Sequence, residues 1–141
     1  LNFYKNKVDF IDQVTTLIKS FDYDLIKQGI VFLSQFKFNN SILNNINFSE
    51  FNFDLTILNE KNINSLLYKK DQVYFSTVHS FKGLEASNII YIDLNFDENA
   101  SLIDFIALTR AKSNLSIFIE DKYKKNTQQI HDRLLRYEIN D

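Results

Sequence analysis

The sequence contains no cysteine, no proline, no methionine and no tryptophan, and only two glycines among its 141 residues. Without cysteine there is no disulfide, no cysteine-ligated zinc or iron–sulfur cluster, and no thiol nucleophile. The glycine count excludes more. A phosphate-binding P-loop needs a pair of closely spaced glycines, a dinucleotide fingerprint needs three, and a nucleophile elbow needs two flanking a serine. Gly29 and Gly83 lie too far apart for any of these. If the chain handles a nucleotide, it does so without a phosphate cradle of its own. An excess of positive charge is also missing: 16 Lys and Arg face 18 Asp and Glu, a net charge of -2. That balance argues against a domain that grips nucleic acid by bulk charge alone. No apolar run approaches the roughly 20 residues of a membrane-spanning helix, and no basic-then-apolar segment opens the chain, so a cytoplasmic protein is the default expectation. The first residue is Leu1 rather than methionine, and the sequence reads as a piece of a longer protein.

What is present is apolar and aromatic. Hydrophobic residues make up 45% of the chain, with 14 Phe and 7 Tyr, which suits a single compact domain over 1–141 with a sizeable core and argues against disorder. Val8, Ile11, Val14, Leu17, Ile18 and Phe21 recur at helical steps, predicting an amphipathic helix over 8–21. A further turn is expected before Gly29. Short runs rich in β-branched residues predict strands at 30–33, 53–58, 73–77, 89–94 and 115–119. Between them, a short helix is expected at 40–47 and another at 101–112, where Ser101 and Asp104 stand in capping-box spacing. A last helix is expected over 122–138. Strands apolar on both faces and separated by helical stretches imply an α/β fold, with a mainly parallel sheet of about five strands flanked by helices on both faces. In such sheets the working groups gather at the carboxyl ends of the strands.

Two segments carry polar residues that a core would not choose. TVHSFKGLE, residues 77–85, leaves the third expected strand and holds His79, Lys82, Gly83 and Glu85. FIALTRAK, residues 105–112, ends the capped helix. In a regular helix Arg110 shares the apolar face of Ile103 and Ile106, so it must pair with an acid, reach a ligand, or snorkel to solvent.

TVHSFKGLE followed by the apolar NIIYIDL, then FIALTRAK followed by NLSIFIE, resembles motifs V and VI of superfamily 1 helicases, in particular the UvrD/Rep group. The firm resemblance covers about 73–120. It implies the second RecA-like domain of an ATP-dependent DNA helicase or translocase, whose first domain, with Walker A and Walker B, is absent from this chain as the glycine count requires. It also implies ATP with Mg²⁺ as cofactor, the metal and most phosphate contacts coming from that first domain and no metal ligand from this chain. The partners it implies are the first RecA-like domain and single-stranded nucleic acid, DNA in preference to RNA, with no membrane. The family's motif IV arginine has no counterpart here, and Ala86 and Ser87 stand where an aromatic often follows the motif V glutamate.

By the same resemblance Arg110 is the catalytic residue, an arginine finger that reaches the γ-phosphate across the domain cleft. A buried ion pair with an aspartate at a strand end is its structural alternative. Glu85 binds the nucleotide ribose or, failing that, is an ordinary solvated acid at a helix start. Gly83 belongs to the nucleotide site, letting the backbone turn tightly or a ligand approach closely. His79 and Lys82 face the nucleic-acid strand, against the alternative of a polar loop and a solvated charge. Phe and Tyr can stack on bases, but most here fall at core periodicity; Phe81, inside the first motif, is the exception to test. Thr77 is open between transmitting nucleotide state and capping a turn. His131 and the Lys69–Lys70 and Lys122–Lys125 clusters carry no assigned function. The competing reading for the whole chain is a non-catalytic interaction module that keeps the RecA-like shape.

Overall fold

The computed structural model describes residues 1–21, 29–47, 54–66, 73–94, 107, 110–126 and 132. They form one all-parallel sheet of six strands: β1 (Asn2–Tyr4), β2 (Ile30–Ser34), β3 (Leu55–Ile57), β4 (Val73–Thr77), β5 (Ala86–Ile92) and β6 (Ala111–Glu120). Their spatial order is β1-β6-β5-β2-β4-β3. The α/β class with a parallel sheet is therefore as the sequence predicts, with one strand more. β1 has too few residues to show a periodicity; it exists because Asn2, Phe3 and Tyr4 pair with Phe118, Ile119 and Glu120.

The central strands bury both faces, and alternate residues feed two separate cores. Val31, Leu33, Tyr74, Ile89, Tyr91, Ile117 and Ile119 point into one. Ile30, Phe32, Val73, Phe75, Ile90, Ile92 and Phe118 point into the other. Helix α1 (Lys7–Ser20) covers the second core with Phe10 and Val14 fully buried. Asn6 starts it by accepting the Asp9 N–H at 2.9 Å, which satisfies an amide that has no intrahelical partner. The apolar face runs through Phe10, Val14, Leu17 and Phe21, whereas Val8 is 68% exposed. Two residues before Phe10, Val8 lies roughly 200° around the helix from it.

The helix expected at 40–47 is instead a pair of 3₁₀ turns, Phe38–Asn40 and Ile42–Asn45, joined at Ser41. They put Leu43 and Ile46 under the same face as α1. Strands β5 and β6 begin earlier than the apolar runs suggest. Asn88 is fully buried, donates to the Gly29 carbonyl at 3.0 Å and accepts from Asn114 at 2.9 Å. That clasp lets a polar stretch enter the sheet without stranding a buried amide.

On the first core's face the described cover is the segment 78–85, the helical turn Ile63–Leu66 and the helical residue Ala107. Helices on both faces are thus not established: α1 is the only long helix among the described residues. Most of the helix expected at 101–112 lies outside them, as do the turn before Gly29, Lys69, Lys70 and His131. Its expected end is corrected, because Arg110 is in a bend and Ala111 and Lys112 already belong to β6. Of the expected 122–138 helix, Asp121–Asn126 is a 3₁₀ helix and only Asp132 of the rest is described.

The segment 78–85 has a demanding path. It leaves the carboxyl end of β4 and must start β5, which runs parallel to β4 with β2 between them. The return along one strand length and across two strand spacings is about 19 Å, within the roughly 26 Å such a segment spans when extended. Lying flat on the sheet, it buries Val78 and Phe81, which are 2% and 0% exposed. Phe81 is therefore a core residue and not the stacking platform its motif position suggested. Phe81→Ala should destabilise the chain by about 3–5 kcal/mol, measured by urea denaturation. A loss below about 1 kcal/mol would show that the ring is not packed.

Candidate functional site

The crossover separates the expected site residues. His79 stays at the carboxyl edge of the sheet, immediately after β4. Glu85 stands at the amino edge, just before β5. Arg110 joins Glu85 there, because it precedes β6: Ala86 N–H donates to the Arg110 carbonyl at 3.0 Å, and Ala86 and Ala111 are register partners. The two segments therefore do not share the carboxyl edge, as expected from the sequence. A parallel strand must be entered from the amino edge, and FIALTRAK feeds a strand rather than leaving one.

At the amino edge the Arg110 side chain is half-buried, and its Nη1 donates to the Leu84 carbonyl at 3.4 Å. Its backbone N–H donates to the Ala107 carbonyl at 3.2 Å, so the bend that holds it is anchored on the buried Ala107. Glu85 is exposed beside it. A guanidinium and a carboxylate are thus presented at the starts of neighbouring strands, the first suited to an anion and the second to a hydroxyl donor. Gly83 has φ +83°, and a side chain added there would meet nothing within 4 Å. The left-handed turn, rather than close approach of the neighbouring chain, accounts for the glycine.

At the carboxyl edge Thr77 fixes the start of the crossover. Its Oγ1 accepts the Ser80 N–H at 3.0 Å and its carbonyl accepts the Phe81 N–H at 3.2 Å, so it acts as a turn cap. His79 is 84% exposed and its Nε2 lies 3.9 Å from Glu60, itself 75% exposed. Such a solvated contact contributes little. Both line an open cleft of about 780 Å³ with Gln35, Lys37, Thr77 and Lys61. Lys82 is exposed, and its backbone N–H donates to the His79 carbonyl at 3.3 Å. Of the lysine cluster at the end of β6, Lys122 and Lys124 are 63% and 66% exposed; they pair with Glu120 and Asp121 and lie over the rings of Tyr123 and Phe3.

One polar centre at this edge was not singled out from the sequence. Asp93 follows β5 with φ 59°, an unusual backbone for a residue other than glycine. Ser34 and Ser41 hydroxyls each donate to its Oδ2 at 2.6 Å, and the Ile42 N–H donates to its Oδ1 at 2.9 Å. Its only trace in the sequence is a lone acid closing the apolar run IIYIDL. Burial pushes its pKa above the usual aspartate range, against the lowering effect of the three hydrogen bonds, and the charge of Glu120 adds to the rise. Nor is it the acid proposed to pair with Arg110: it stands at the opposite edge of the sheet.

Compared with known proteins, the chain matches no family model and no curated sequence.

The raised pKa of Asp93 gives a pH signature. Below the unfolded value of about 3.9 the carboxyl is protonated in both states and its contribution is complete. As pH rises through the folded value the unfolded state ionises first, and that contribution is lost. Asp93→Asn has no such proton to lose. Its melting temperature relative to the unmodified chain should therefore climb from about pH 4 towards neutrality and then level off. A gap that stays constant across the series would show that Asp93 ionises freely.

Proposed function

We propose that this chain is the second RecA-like domain of a UvrD-like, ATP-dependent DNA helicase or translocase. The observation that carries the reading is the meeting of Glu85 and Arg110, distant in sequence, at the adjacent starts of β5 and β6. His79 lies on the other edge of the same sheet, so one short segment supplies a nucleotide-facing end and a strand-facing end. The reading rests on the motifs and this geometry.

The residues present fit half of an ATP site. Arg110 would hold the terminal phosphate and Glu85 a ribose hydroxyl, while Gly83 gives the turn that delivers Glu85 to the edge. Mg²⁺ would be held by the first RecA-like domain. ATP, when bound, supplies the phosphoryl group whose transfer to water drives the motor. Arg110 would neutralise charge spreading over the phosphoryl oxygens, an effect typically of about 10³–10⁵ in rate. On the opposite edge Lys82 would pair with a strand phosphate and His79 would hydrogen-bond or stack beside it.

The reading frame upstream of Leu1 should encode a Walker A and a Walker B motif; their absence would favour the non-catalytic interaction module. In the protein that carries both domains, Arg110→Ala should leave ATP affinity within about tenfold and lower turnover by ~10³ or more. Arg110→Lys should restore little, because an ammonium lacks the planar fork. Arg110→Ala in the present chain should cost clearly less than the ~3–5 kcal/mol that breaking a buried ion pair would. A large loss of stability would make Arg110 a structural residue. Lys82→Ala should flatten the logarithmic salt dependence of single-strand binding by roughly 0.7 while sparing unstimulated ATP hydrolysis. An unchanged slope with lost hydrolysis would move Lys82 to the nucleotide.

A further inference from the structure

The carboxyl edge holds a second cleft, away from His79 and on the opposite edge from Arg110. It occupies about 520 Å³ at the ends of β1, β6, β5 and β2. Its place in the topology is informative. From β2 the chain moves towards β3 on one side of the sheet, whereas from β5 it moves to β6 on the other. Strands β2 and β5 are neighbours, so their loops part and leave a crevice. That is where open parallel sheets accommodate ligands.

The floor of this crevice is polar and has hydrogen-bonding capacity left over. Tyr4 is only 5% exposed, lines the cleft, and its hydroxyl has no hydrogen-bond partner among the described residues. The ring is packed in the core while the hydroxyl is presented to the cleft. Beside it Asp93 accepts two hydrogen bonds on Oδ2 but only one on Oδ1, leaving an acceptor position open on a carboxylate with about four. Asp93 is also held in a left-handed backbone conformation at φ 59°, a local cost that tends to collect at functional sites. The rim is different in character: exposed Lys5, Lys7 and Lys122 surround it, with Glu120 3.5 Å from Lys122 as the one acid among them, so it stays net positive.

This arrangement defines the ligand by its two ends. An acidic floor with a free phenol rejects an anion but suits hydroxyl groups, which donate to Asp93 and exchange hydrogen bonds with Tyr4. A lysine rim suits a phosphate. We propose that the cleft is a binding site for a phosphorylated sugar, up to the size of a mononucleotide, its hydroxyls on Tyr4 and Asp93 and its phosphate among Lys5, Lys7 and Lys122. The volume falls in the range of small-molecule sites, about 300–1,000 Å³. The site is independent of the Arg110 edge and does not depend on the motor reading.

The test uses the present chain and ribose 5-phosphate, followed by calorimetry and by backbone amide shifts. Saturable binding that perturbs Tyr4, Lys5, Ile42 and Asp93 is expected. Ribose alone and inorganic phosphate alone should each bind at least about tenfold more weakly. Tyr4→Phe keeps the ring and removes only the hydroxyl; it should weaken binding about three- to tenfold, the scale of one neutral hydrogen bond. A Lys5→Ala, Lys7→Ala double variant, altering only exposed side chains, should weaken ribose 5-phosphate but not ribose. Absence of saturable binding at millimolar ligand would overturn the proposal. So would equal affinity for inorganic phosphate, which would mark a rim that merely collects anions, or binding indifferent to Tyr4→Phe. Displacement of ribose 5-phosphate by a thymidine oligonucleotide more strongly than by thymidine monophosphate would assign the cleft to a nucleic-acid strand and equally reject it.

Discussion

The return of the chain from the end of β4 to the start of β5 is the constraint on which most of this molecule depends. Parallel strands cannot be joined by a tight hairpin, and here the connection has to pass over β2 without a helix of its own. Only a segment pressed against the sheet is short enough. Burial of Val78 and Phe81 is what presses it there, Thr77 caps its first turn, and Gly83 supplies the left-handed residue that redirects it into β5. The same residues that look like a chemical motif are thus also a structural strut.

That double duty explains the distribution of polar groups. A crossover has two ends on opposite edges of the sheet, about one strand length apart. His79 is left at one end and Glu85 is delivered to the other, where the bend before β6 places Arg110 beside it. The two ends are joined by a short segment packed through Val78 and Phe81. For a domain proposed to couple a nucleotide cleft to a nucleic-acid strand, such a link is a physical means of coupling, since packed segments transmit displacement rather than absorb it.

The carboxyl edge is electrostatically uneven. Over β3 and β4 it is open and solvated, with His79 and Glu60 largely exposed. Over β1, β5 and β6 a second cleft is floored by Asp93 and by Tyr4, whose phenol burial drives well above its usual pKa, with the charges of Glu120 and Asp93 adding to the effect. Ser34 and Ser41 are themselves almost fully buried, so their hydroxyls spend their donors on the carboxylate and tie the 3₁₀ turns to the end of β5.

The class of fold is legible in the residues alone, since short β-branched and aromatic runs such as IVFLS and VYFST suit strands covered on both sides. The sequence also marked the segments that carry polar chemistry, because His79, Gly83 and Arg110 are residue types a plain core would avoid at those places. Tertiary structure decided the rest. The short strand β1 exists only through its pairing with β6, and polar Asn88 sits inside the sheet only because Gly29 and Asn114 satisfy it. Phe81 could not be told from an exposed aromatic until the crossover was seen to lie flat, nor Arg110 assigned an edge until β6 was seen to begin directly after it. Asp93 became conspicuous only when β2 brought Ser34 alongside it and the 3₁₀ turns brought Ser41 and Ile42. Periodicity reports what each segment buries; which groups meet at a sheet edge depends on strand order and register, which are properties of the assembled sheet.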